Sequence, residues 1–146
     1  AAGPGFAPEL VSRGLAAGDI DNDGDVGLLI TNNRAAPNLL LYEGNSTGNA
    51  ILVRLIGEKS NRSAIGARLI LSAGPARLLG EVQSGSSYLG QNDLRAPFGL
   101  GPATKADHLA IRWPSGATET VETLPADHIV TIREGKGVVG RTRFVR

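Results

Sequence analysis

Apolar residues in this chain fall in short runs separated by turn formers from one end to the other. Ten runs predict strands: Gly14–Asp19, Val26–Thr31, Asn38–Tyr42, Ala50–Ile56, Ala67–Ser72, Leu78–Gln83, Leu94–Gly99, His108–Trp113, Thr118–Thr123 and His128–Arg133. None sustains the period of about 3.6 residues over the ten or more positions an amphipathic helix needs. In His108–Trp113, Leu109, Ile111 and Trp113 share one face while Ala110 and Arg112 take the other, the alternation of a half-covered strand. Ile51–Ile56 is apolar almost throughout, which predicts cover on both faces. Asn-Asp-Gly, Asn-Asn, Ala-Gly-Pro and Pro-Ser-Gly punctuate the runs. Short strands with turn signals at this spacing predict an all-β fold, a two-sheet β-sandwich or a barrel-like domain. Trp113 is expected in the core, with Pro114 ending its strand and Gly116 permitting the reversal. Leu124–His128 has room for one helical turn, opened by Pro125.

The polar stretch Glu43–Asn49 divides the chain. Residues 1–13 read as an extended lead-in, 14–44 as three strands around an acidic loop, 49–138 as a β domain, and 139–146 as a solvated basic tail carrying Arg141, Arg143 and Arg146. The segment 14–44 is too short to bury a core and must pack on the rest or on another chain.

Composition narrows the chemistry. Of 146 residues 20 are Gly, without a collagen period, which fits many tight turns. Cysteine is absent, so disulfides and thiolate metal sites are excluded. A net charge of +1 with no basic stripe argues against nucleic acid as a partner. No run approaches the roughly 18 apolar residues of a membrane-spanning helix.

The strongest local signal is Asp19-Ile-Asp21-Asn-Asp23-Gly24-Asp25-Val-Gly27. Carboxylates at alternate positions, Gly at the sixth and a carbonyl at the seventh suit Ca²⁺, which takes hard oxygen ligands. An EF-hand is excluded, because its bidentate Glu at the twelfth position would be Ile30 and the flanks read as strands. The bland alternative is an acidic hairpin turn, since Asp and Asn favour turns for local reasons. It leaves four aspartates within seven residues repelling one another.

Together with this loop, Leu28-Leu-Ile-Thr-Asn-Asn and Asn38-Leu-Leu-Leu-Tyr-Glu-Gly resemble an FG-GAP or VCBS repeat, a β-propeller blade. Lys59-Ser-Asn-Arg-Ser-Ala-Ile-Gly-Ala-Arg68, Gln83-Ser-Gly-Ser-Ser-Tyr-Leu-Gly-Gln-Asn-Asp93 and Arg112-Trp-Pro-Ser-Gly116 resemble the ASPIC/UnbV domain of cartilage-acidic-protein-like proteins. The resemblance implies an N-terminal partial blade, an exported parent protein and no known enzymatic activity. It implies calcium ligands at Asp19, Asp21, Asp23 and the carbonyl of Asp25. Gly27 stands where the repeat has a closing Asp, so a weak site of about 10⁻⁴–10⁻³ M is expected. The expected role is a noncatalytic adhesion or interaction module at a cell surface or in the periplasm, facing a protein or a glycan. Homodimerisation through exposed strand edges is a further expectation.

A carbohydrate-binding module is the alternative, with Tyr88, Gln91, Asn92 and Asp93 as ligand-binding residues: an apolar ring beside bidentate hydrogen-bonding groups. Against it, the same side chains suit a structural loop that satisfies backbone groups. His108 and His128, at the starts of their predicted strands, and Ser86 or Ser87 with Asp93 or Asp107 can be assembled into a triad only on paper, for no Gly-x-Ser-x-Gly elbow is present. Asn45-Ser-Thr47 and Asn61-Arg-Ser63 match glycosylation acceptors.

Overall fold

The computed structural model describes residues 3–42 and 48–145. Most of the Glu43–Asn49 boundary, the Asn45-Ser-Thr47 acceptor and Arg146 lie outside the described residues. After a 3₁₀ turn at Pro4–Phe6, eleven strands follow: β1 Ser12–Gly18, β2 Gly27–Asn32, β3 Asn38–Leu40, β4 Asn49–Ile56, β5 Arg68–Ala73, β6 Ala76–Glu81, β7 Ala96–Gly101, β8 Lys105–Arg112, β9 Thr118–Pro125, β10 His128–Arg133 and β11 Gly137–Arg143. The fold is all-β, with no α-helix among the described residues and no closed barrel. Three sheets have the orders β1-β2-β3, β11-β10-β4-β7 and β6-β5-β8-β9.

The two four-stranded sheets form the sandwich. Alternation supplies its core: Ile51, Val53 and Leu55 from β4, Phe98 and Leu100 from β7, Val130 and Ile132 from β10. Leu69 and Leu71 from β5 and Leu109 and Ile111 from β8 belong to the same cluster. Trp113 is buried there, and the turn after it closes with Gly116 N–H donating to the Trp113 carbonyl at 2.9 Å, Gly116 taking a φ of 89°. The pairing of β4 with β10 is parallel. Local sequence contains no signal for that partner.

β4 is interior to its sheet, and its outer face is covered at Leu52 and open at Arg54, so the two-sided cover that its apolar run predicts holds only in part. Leu52 points away from the sandwich core yet is 2% exposed. Gly18, Asp19 and Val26 of the N-terminal unit lie around it. Arg54 breaks the pattern and is exposed.

Four features differ from the sequence reading. The helical turn at Leu124–His128 is absent, because β9 continues to Pro125 and a turn at Ala126–Asp127, with Asp127 at φ 58°, leads directly into β10. The basic tail is largely β11, paired with β10, and Phe144 after it is 6% exposed. Turn formers at 134–137 hid a hairpin whose strand, Gly-Val-Val-Gly-Arg-Thr-Arg, has little apolar content. His108 lies within β8, not at its start. Finally, the segment 14–44, expected to pack on the rest or on another chain, leaves Leu29, Leu39 and Leu41 40%, 51% and 48% exposed. Leu29 and Leu39 are cross-strand partners on one face of the N-terminal sheet, and among the described residues no second sheet covers that face. Among the described residues, the N-terminal unit contributes no side chain to the hydrophobic core.

Candidate metal centre

The acidic loop joins β1 to β2. Asp19, directly after β1, is buried and organises the turn: Oδ1 accepts the Asn22 N–H at 2.7 Å and Oδ2 accepts the Gly24 N–H at 3.1 Å. Asp23 Oδ1 accepts the Asp25 N–H at 2.8 Å. Asn22 and Gly24 hold φ of 64° and 97°, conformations that Asn tolerates and Gly adopts freely. The result is a coil in which carboxylate oxygens of Asp19, Asp21 and Asp23 all lie within 4.8 Å of one another. Two oxygens on one Ca²⁺ at about 2.3–2.6 Å can be no more than about 5 Å apart, so the cluster fits a single ion. Asp25 is half-buried and lines, with Asp21, Asp23 and Gly27, a cavity of about 10 Å³. Gly27 opens β2, where a Cβ would stand 3.2 Å from both the Leu40 carbonyl oxygen and Leu41 Cδ2, so a closing Asp there would press on β3.

Burial pushes the Asp19 carboxyl above its usual range, and the N–H groups of Gly24 and Asn22 work against this, as does the Arg95 guanidinium; Asp23 adds to the rise. A cation among the three carboxylates would offset both burial and mutual repulsion.

The loop is tied to the sandwich by residues that the sequence reading did not single out. Arg95, just before β7, donates from Nη2 to the Asp19 carbonyl oxygen at 2.5 Å and from Nη1 to Asn22 Oδ1 at 2.6 Å. Its Nε donates to Asp93 Oδ2 at 2.6 Å, which fixes the fork. From the C-terminal side, Val145 N–H donates to the Asn22 carbonyl at 2.9 Å. Phe144 lies directly over Gly24, where a Cβ would collide with its ring. Gly24→Ala should therefore cost about 1–3 kcal/mol through the clash and the positive φ together, read as a lower denaturation midpoint. Arg95→Ala should leave the sandwich folded but speed amide exchange at residues 19–25 by about tenfold or more, measured by hydrogen exchange with mass spectrometry.

The segment Gly85–Asp93 runs across β1 as a strap. Ser87 Oγ accepts the Leu15 N–H at 3.1 Å, Asn92 Oδ1 accepts the Ala17 N–H at 3.0 Å, and Asp93 N–H donates to the Ala17 carbonyl at 2.9 Å. Such close crossing needs Gly on both sides: a Cβ on Gly14 would stand 2.7 Å from the Tyr88 carbonyl oxygen, and one on Gly90 2.5 Å from that of Leu15. Of the four residues named for a carbohydrate site, Asn92 and Asp93 are thus engaged with β1 and Arg95, while Tyr88 is 67% exposed and Gln91 donates to the neighbouring Asn92 carbonyl. Ser86 Oγ accepts from Asn92 Nδ2, and Asp107 Oδ2 caps the Gly74 N–H. His128 Nδ1 lies 2.6 Å from the Ala126 carbonyl oxygen.

A second buried carboxylate, Glu134, also went unnoticed in the sequence. Its Oε2 accepts the N–H groups of Glu58, Lys59 and Ser60, each at 2.8 Å. Its Oε1 accepts the hydroxyls of Ser60 at 3.0 Å and Ser115 at 2.5 Å. Burial acts to raise its pKa, but the Ser115 hydroxyl, the Ser60 and Glu58 N–H groups and the Ser60 hydroxyl outweigh it and hold the group at about 2. Ser60 and Ser115 lie in two of the three quoted motifs, Lys59–Arg68 and Arg112–Gly116, so these converge on one anchor. Asn61 is likewise engaged, its amide bonded in both directions to the Ile65 backbone.

The model of the ASPIC and UnbV family matches residues 57–139. No curated protein matches the chain. The matched span holds Glu134, both serines and the strap; the acidic loop lies before it. No helix among the described residues is long and apolar enough to cross a membrane.

Proposed function

Because the chain belongs to the ASPIC and UnbV family, we propose that it is a noncatalytic interaction module of an exported protein whose acidic loop binds Ca²⁺ and so stiffens the joint between its N-terminal unit and its sandwich. The observation that carries this reading is the convergence of Asp19, Asp21 and Asp23 on one point in a loop bonded to Arg95 and Val145. The joint is made largely of polar contacts, from Arg95, Val145 and the Gly85–Asp93 strap, and not of shared apolar core. An ion that fixes the coil also fixes the Asp19 and Asn22 oxygens that Arg95 grips. The reading of residues 14–44 as a partial FG-GAP or VCBS blade belongs to the same proposal. Its support is a strand–acidic loop–strand unit with an uncovered Leu29 and Leu39 face. That face, together with the outer edge of β3, is also the surface through which a protein partner or a second copy would dock.

Isothermal titration with CaCl₂ against the EDTA-stripped chain is the test. A saturable exchange near 10⁻⁴–10⁻³ M, lost in Asp21→Asn with Asp23→Asn, is the expected result. No heat and no change in melting at several millimolar calcium would defeat the calcium reading.

A further inference from the structure

We propose that the groove between the acidic loop and the outer face of the β11-β10-β4-β7 sheet is a binding site for an organic polyanion carrying two or more sulfate or phosphate ester groups. The proposal goes beyond the calcium reading and does not require an ion in the loop. The groove has a volume of about 910 Å³ and is lined by Arg54, Arg62, Arg95 and Arg143. Two carboxylates also line it, Asp19 and Asp93. Both are already engaged, Asp93 with Arg95 and Asp19 with the N–H groups of its own loop. Among the described residues no carboxylate pairs with the guanidinium of Arg54, Arg62 or Arg143. Three unneutralised guanidiniums around one concavity, on a chain whose net charge is only +1, are a local excess of positive charge that an anion would relieve.

Each cation is held on a fixed backbone. Arg54 is in the central strand β4, directly across from Thr131 of β10. Arg62 belongs to the loop that Glu134 caps, and its carbonyl accepts the Gly57 N–H at 3.1 Å. Arg143 ends β11, one residue before the buried Phe144. Thr131 and Thr142, whose hydroxyls can donate to ester oxygens, line the same groove, as does the apolar Ile129. Guanidinium forks bind sulfate and phosphate oxygens in pairs, which suits two or three esters spaced around one ring or along a short oligomer.

The test is titration of the whole chain at about 150 mM salt, where exposed single charges are strongly screened. Two probes are used, a heparin octasaccharide and myo-inositol hexakisphosphate. Saturable binding of at least one is expected, weakened about tenfold by Arg54→Gln and by Arg62→Gln, with circular dichroism unchanged. Arg77→Gln, on β6 of the other sheet, should stay within about twofold of the native chain. Tighter binding of the octasaccharide would assign a sulfated saccharide, and tighter binding of the inositol a phosphate ester. Failure of both probes to bind would overturn the proposal. So would an Arg77→Gln loss equal to that of Arg54→Gln, because the binding would then follow total charge and not the groove.

Discussion

Glu134→Ala is expected to lower the melting temperature by about 10 °C, the scale on which loss of a buried, hydrogen-bonded charge acts in a domain of this size. The substitution strips one acceptor pair from five donors at once: three consecutive N–H groups, from Glu58 to Ser60, and the hydroxyls of Ser60 and Ser115. Three adjacent backbone N–H groups directed at one oxygen cannot find another protein acceptor without rebuilding the 57–62 loop, and unpaired donors are what folded chains avoid. The loop of Arg62 and the turn of Ser115 should loosen together. Glu134→Gln keeps the shape but removes the charge, so it separates the two contributions. With the carboxyl held at about 2 against an ordinary value of 4.5, its contribution to stability is fully present above 4.5 and is lost as pH falls from there through about 2. Urea titrations at pH 7 and pH 3 should show the native chain losing more stability between those values than Glu134→Gln. Equal losses would mean that the carboxylate is not the acid-sensitive anchor.

Calcium should raise the melting temperature of the native chain, with a stabilisation of about 2.7 kcal/mol at a hundredfold excess over the dissociation constant. Asp19→Asn should abolish most of that gain and also destabilise the ion-free chain. Its carboxylate accepts the Asn22 and Gly24 N–H groups, and the amide that replaces it offers only one acceptor oxygen. Asp21 is exposed and has no such duty, so Asp21→Asn should lose calcium response while leaving the ion-free melt within about 0.5 kcal/mol of native. This contrast distinguishes ligation from turn structure. Melts followed by scanning calorimetry with calcium or EDTA supply the measurement. A calcium shift that survives Asp21→Asn with Asp23→Asn would place the ion elsewhere.

Most of the strands could be read from the sequence because two-residue alternation and turn formers are local. Leu109, Ile111 and Trp113 announced their face, and Gly116 its turn. The Asp19–Gly27 spacing announced the oxygen cluster for the same reason: a tight coil brings alternate side chains together whatever surrounds it. Ser60 and Ser115 stand in motifs whose purpose is not legible locally, while the side chains of Gly85–Asp93 suit the pairing of backbone groups without indicating that β1 is the strand they meet. Ser60 and Ser115 are 55 residues apart in bonded contact, and both meet a carboxylate 74 and 19 residues further on. β11 was missed because Gly and Arg interrupt its apolar pattern, and its strand state is set by pairing with β10.

The sequence by itself determined an all-β chain of short strands, a core tryptophan and an acidic loop that gathers three carboxylates, since each depends on contacts within a few residues. Only the tertiary structure decided that β4 pairs in parallel with β10, that Glu134 gathers two remote loops, that Arg95 and Phe144 hold the acidic loop, and that Arg54, Arg62 and Arg143 face one groove. Those are long-range juxtapositions, chosen by burial and by the need to pair buried donors and charges. No local pattern of residues encodes which distant partner will meet that need.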